Sequence, residues 1–136
     1  MYPMERGEMI SLLQRSPVGR LTTCAHNRPY VVPLAYVFSQ GNIYLHCAPT
    51  GKKMENMRQN PNVCFEVDEF TPSLDRCQSV IVFGMVNFIQ NVDQKIKVLQ
   101  ELSRKYRGGE RDIDESAAAK VEIVEVIIQE MTGRKS

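Results

Sequence analysis

Between an apolar run ending in His46-Cys47-Ala48 and a polar stretch beginning at Met54, the chain reads HCAPTGKKMENMRQNP over residues 46–61. Gly51, Lys52 and Lys53 stand where a turn would lead into a helix. The first backbone N–H groups of a helix have no partner inside it, and two ammonium groups beside them suit a phosphate. Taken alone, the same three residues also describe an ordinary solvated turn.

Other chemistry is harder to assemble. The chain has 2 histidines, His26 and His46, and 4 cysteines, Cys24, Cys47, Cys64 and Cys77, with no Cys-x-x-Cys pair. No metal site is expected from such spacing, and reduced, mostly buried thiols are. The neighbouring carboxylates Asp68-Glu69 and those between residues 110 and 115 fall in strand-end and loop contexts, where solvated charge is the ordinary explanation. No nucleophile elbow, phosphate-binding glycine loop, zinc-helix or dinucleotide-binding glycine signature occurs. Catalytic side chains therefore remain unknown from sequence.

Charge and length narrow the partners. With 17 Lys+Arg against 16 Asp+Glu, the net charge of +1 provides no field for nucleic acid or an anionic membrane. A chain of 136 residues buries roughly 68% of its unfolded surface, enough for one core, so residues 1–136 are read as one domain. No run approaches the roughly 20 apolar residues of a membrane span. The start MYPMERGEM lacks a signal-peptide pattern, so a cytoplasmic protein is expected.

The elements that must position the basic turn follow from periodicity. Residues 4–14 read as a short helix, 18–25 and 30–38 as a hairpin about the turn 26–29, and 43–48 as a third strand. Pro33 cannot donate to a ladder hydrogen bond, which places it at an edge, at a bulge, or where the backbone turns to a ligand. A helix over 54–60 stops at Pro61, and residues 62–69 alternate as a fourth strand. Residues 79–89 form a long strand expected to bend at Gly84, and 92–107 a helix with Ile96, Leu99, Leu102 and Tyr106 along one stripe. Residues 108–117 read as a polar connection, and the β-branched run 120–131 as the last strand. Six antiparallel strands with helices outside give a mainly β barrel.

The runs GRLTTC (19–24), RPYVVPLAYVF (28–38), IYLHCAPTGKKMENMRQNPNVCFEVD (43–68) and SVIVFGMV (79–86), in this order and spacing, resemble the pyridoxamine 5'-phosphate oxidase-like, FMN-binding split barrels. The branch they resemble is the flavin-nucleotide-binding one that includes the 5-nitroimidazole-resistance proteins, and EMTGRK (130–135) is similar to that branch as well. The resemblance implies a six-stranded antiparallel split barrel and a homodimer with flavin sites at the subunit interface. It implies FMN as cofactor, with FAD and then haem as alternatives.

By the same resemblance, backbone at Val32, Pro33 and Leu34 lies against the isoalloxazine. His46, Cys47 and Ala48, with Gly51, Lys52 and Lys53, enclose the ribityl phosphate, and Ser79 adds a contact. The activity implied is an FMN-dependent oxidoreductase passing electrons from a reduced nicotinamide to a small flat acceptor such as a nitro-aromatic. The alternative is a non-catalytic flavin or haem carrier. His46 reads as a partner of the phosphate or of a backbone carbonyl, against the sharper readings of proton donor or haem ligand. Cys47 lacks the adjacent base that a nucleophile needs.

Overall fold

Alternating apolar residues give the strands, and three amphipathic stretches give helices that cover them. The computed structural model describes residues 1–136. In chain order the elements are β1 (Tyr2–Pro3), α1 (Arg6–Arg15), β2 (Gly19–Ala25), β3 (Arg28–Leu34), β4 (Val37–Ser39), β5 (Asn42–Cys47) and α2 (Lys52–Gln59). They continue with β6 (Asn62–Phe70), β7 (Cys77–Ile89), α3 (Val92–Arg107), α4 (Glu115–Ala119) and β8 (Glu122–Lys135).

All pairings are antiparallel, and the sheet runs β3-β2-β6-β7-β8-β5-β4, with β1 added to β8. Its two edge strands, β3 and β4, are consecutive in the chain and joined only by Ala35 and Tyr36. Three Cα steps of 3.8 Å reach at most about 11 Å. The sheet must therefore curl until its edges nearly meet, which makes a barrel split along one seam.

The expected mainly β split barrel with flanking helices is thus present, with eight strands in place of six. The expected strand over 30–38 breaks at Ala35 and Tyr36. Tyr36 turns into the core, where it is fully buried, packs edge-on against Phe65 at 4.9 Å and donates its hydroxyl to the Leu13 carbonyl at 2.5 Å. Its backbone bonds go to α3 instead of a strand. The Tyr36 N–H donates to Tyr106 Oη at 3.0 Å, and Lys105 Nζ donates to the Tyr36 carbonyl at 2.9 Å while sitting 3.8 Å above the ring. Tyr106 Oη in turn donates to the Pro17 carbonyl at 2.8 Å. The second added strand is the two-residue β1.

Gly84 stands at the expected bend, where the β7–β8 register shifts. A Cβ there would lie 2.5 Å from the Ile127 carbonyl oxygen. The polar connection at 108–117 contains the start of the short helix α4, whose cap Asp114 accepts the Ala117 N–H at 2.7 Å. None of the four cysteines is paired, and only Cys47 is buried, so the expectation of mostly buried thiols holds for one of them. No helix is long and apolar enough to cross a membrane.

Candidate functional site

Strand β5 carries His46 and Cys47 at its end. Ile43, Leu45 and Cys47 face the core, and the alternate residue His46 is exposed on the other face. After Ala48 the chain turns, and Arg58 Nη2 ties that turn to α2 by donating to the Pro49 carbonyl at 3.0 Å. Gly51 precedes α2 with φ 117° and ψ 170°, a conformation open essentially to glycine alone. No side chain caps the helix start, so its first N–H groups point outward unsatisfied.

Lys52 and Lys53 make no ion pair within the chain. Lys52 is exposed and Lys53 half-buried. The helix is fixed from behind: Met54 and Met57 are buried, and Asn56 Nδ2 donates to Thr23 Oγ1 and Asn60 Nδ2 to the Cys24 carbonyl, each at 3.0 Å.

Electrostatics give each nearby group a state. Partial burial, helped by the Lys53 charge, pushes His46 below the ordinary imidazole range, so it is neutral at pH 7. Burial and, less strongly, Glu122 raise the Cys47 thiol against the opposing pull of Lys53. Cys47 is therefore a protonated core thiol, and only its backbone is available to a ligand. Val32 and Leu34 also pack against the core, opposite Leu21 and Gly19, whereas Pro33 stands on the outer face opposite Arg20. Any ligand contact from Val32 and Leu34 is likewise a backbone contact, offered by an edge strand.

Ala35, at the seam, and His46 lie on one cleft of about 450 Å³, whose other wall is α3 and the segment leading to α4. Leu99, Leu102 and Val121 make it apolar, and Arg107 and Arg111 stand in its lining. These wall residues escape a motif reading; the only sign of them is the apolar stripe of α3. Lys52, Lys53, Gly51 and His46 are brought to one region. Ser79 is not: it pairs with Asp68 and Arg134, while His46 aligns through Ile123 with Ile89, at the other end of the 13-residue β7. At about 3.3 Å per residue, most of that strand separates them.

Ser79 belongs instead to the outer sheet face. There Val31, Ile81, Phe83, Met85 and Ile127 are 60%, 38%, 46%, 36% and 41% exposed. Beside them Arg20 reaches Asp68 at 3.2 Å and Glu66 at 3.7 Å. Desolvation and the neighbouring Asp68 nonetheless raise the Glu66 carboxyl to about 7, against the pull of Arg20.

With this architecture in view, residues 5–135 match the family model described as pyridoxamine 5'-phosphate oxidase, and the chain belongs to that family. It is similar to the solved structure of a candidate 5-nitroimidazole antibiotic resistance protein from Bacteroides thetaiotaomicron, with TM-score 0.90 and 23% identity over 98% of this chain and 86% of that one. It is also similar to an FAD-binding protein from Mesorhizobium loti, with TM-score 0.82 and 28% identity over 99% and 97% of the two chains. A curated, uncharacterized protein of Rhizobium meliloti is 35% identical over 81 residues, 60% of this chain and 52% of that protein. The chain thus aligns with about half the length of that curated relative.

Proposed function

We propose that the chain is an FMN-dependent oxidoreductase whose flavin phosphate sits at the start of α2, on Gly51, Lys52 and Lys53. The observation that carries this is the uncapped start of α2 with two unpaired lysines, of which Lys53 acts on a neutral His46 that itself lines the apolar cleft. This donor set fits a phosphate monoester: free N–H groups, two ammonium groups, and an imidazole carrying no charge. Ala48 and the backbone of Cys47 would close the cradle, and edge backbone at Val32, Pro33 and Leu34 would receive the ring.

When bound, the flavin would supply the redox chemistry, taking electrons from a reduced nicotinamide and giving them to a small flat acceptor, of which a nitro-aromatic is the proposed example. The chain's own residues orient the cofactor and exclude water around it. FMN suits a cradle for a single phosphate, and the FAD-binding name of the Mesorhizobium loti protein keeps FAD as the alternative. The free cysteines suit a cytoplasmic setting.

The proposed working unit is a homodimer. The exposed apolar residues of the outer face favour it. A second reading, a flavin or haem carrier, draws on the exposed neutral imidazole of His46, a free ligand for iron.

Anaerobic visible spectroscopy tests these readings. Flavin bands that bleach with NADPH and return with a nitro-aromatic support the oxidoreductase. Bands that stay oxidised under excess NADH and NADPH support the flavin carrier, and a Soret band the haem carrier.

A further inference from the structure

The cleft beside His46 has a chemistry that the flavin phosphate does not use. Its walls are apolar: Leu99 and Leu102 from α3, Ala35 from the seam, Ile113 and Val121 from the far side. Arg107, the last residue of α3, and Arg111, in the segment that follows, also line it. Neither guanidinium has an ion pair or a side-chain hydrogen bond within the chain, whereas Arg104 on the same helix is paired with Glu110.

The wall that bears Arg111 is held in place. Gly108 ends α3 in the left-handed conformation at φ 79°, and Ser103 Oγ donates to the Gly109 carbonyl at 2.6 Å. The Gln100 side chain then clamps both backbone groups of Arg111, accepting its N–H at 3.0 Å and donating to its carbonyl. A backbone fixed in this way keeps the exposed Arg111 side chain rooted beside an apolar surface, an arrangement suited to an amphipathic anion. Asp112 also lines the cleft, leaving one net positive charge from the three groups.

We infer that this cleft binds an aromatic carboxylate, its ring on the apolar walls and its carboxylate at Arg107 and Arg111. Planar guanidinium forks match carboxylates in geometry and charge. The inference rests on the proposed function for its setting, since it names the class of acceptor that would lie next to the flavin, but its binding step involves only this chain's residues.

The test is calorimetric titration of the FMN-supplemented full chain with 4-nitrobenzoate and with the neutral 4-nitrobenzamide, alongside a separate FMN titration. The expected result is a preference for the benzoate of about tenfold or more. Arg107→Gln with Arg111→Gln removes that preference at unchanged FMN affinity, and Asp112→Asn strengthens it. Equal binding of the two probes, no binding of either, or a preference that survives the double substitution overturns the inference. A benzoate preference that depends on the arginines in a protein that takes up no FMN upholds the cleft and removes the flavin reading. FMN uptake without a benzoate preference removes the cleft assignment alone.

Discussion

Gly51 shapes the turn, and Lys52 and Lys53 charge it. At φ 117° a Cβ is strained even though nothing crowds the position, so Gly51→Ala should destabilise the fold by about 1–3 kcal/mol and weaken FMN binding together. Denaturant titration and FMN titration of the same variant check both. Glu66 offers a pH prediction. Its folded carboxyl, raised from 4.5 to about 7, holds its proton more tightly than the unfolded chain does. Stability therefore falls as pH rises from 4.5 to about 7 and stays lowered above that range. Glu66→Gln should raise the melting temperature above pH 7 and leave it nearly unchanged below 4.5.

The basic helix start was legible because glycine followed by lysines is a matter of residue type, although the helix begins at Lys52 and not at Met54 as expected. Which face of β5 looks inward was not, because Ile43, Leu45 and Cys47 alternate with Tyr44 and His46, and both sets are compatible with burial. Pairing settles it, and it turns the Cys47 thiol away from any ligand.

At the level of elements, the seam is closed by side chains of α3. Tyr106→Phe would leave the Tyr36 N–H without its acceptor and deprive the Pro17 carbonyl of its donor. A loss of about 1–3 kcal/mol is expected, read as a lowered denaturation midpoint with an unchanged slope. Helix α3 was legible over its full length from an apolar stripe on a polar background. The break at Ala35 and Tyr36 was hidden, since YVVPLAYVF is continuously strand-like and only contacts some seventy residues away, from Lys105 and Tyr106, interrupt it. Helix α4 was hidden for another reason: at 5 residues it is too short for periodicity to register.

For the whole molecule, the split-barrel class could be read from the order of strands and motifs, while closure depended on the two-residue link between the edge strands. The proposed dimer predicts that Phe83→Glu with Met85→Glu gives a folded monomer with weakened FMN binding. Sedimentation velocity and FMN titration measure the two effects. A dimer that survives both charges would place the contact elsewhere.

On this account Gly51 and the first helical residues Lys52 and Lys53 hold the phosphate of a flavin. The most direct test of that placement is to titrate the flavin-free protein, and its Lys52→Ala, Lys53→Ala double variant, with FMN and with riboflavin, following flavin fluorescence. Charge-assisted hydrogen bonds worth roughly 1.5–3 kcal/mol each predict that FMN binds at least tenfold more tightly than riboflavin and that the double variant loses the difference. Equal affinity for the two flavins in the unsubstituted protein, or undiminished FMN affinity in the variant, would contradict it.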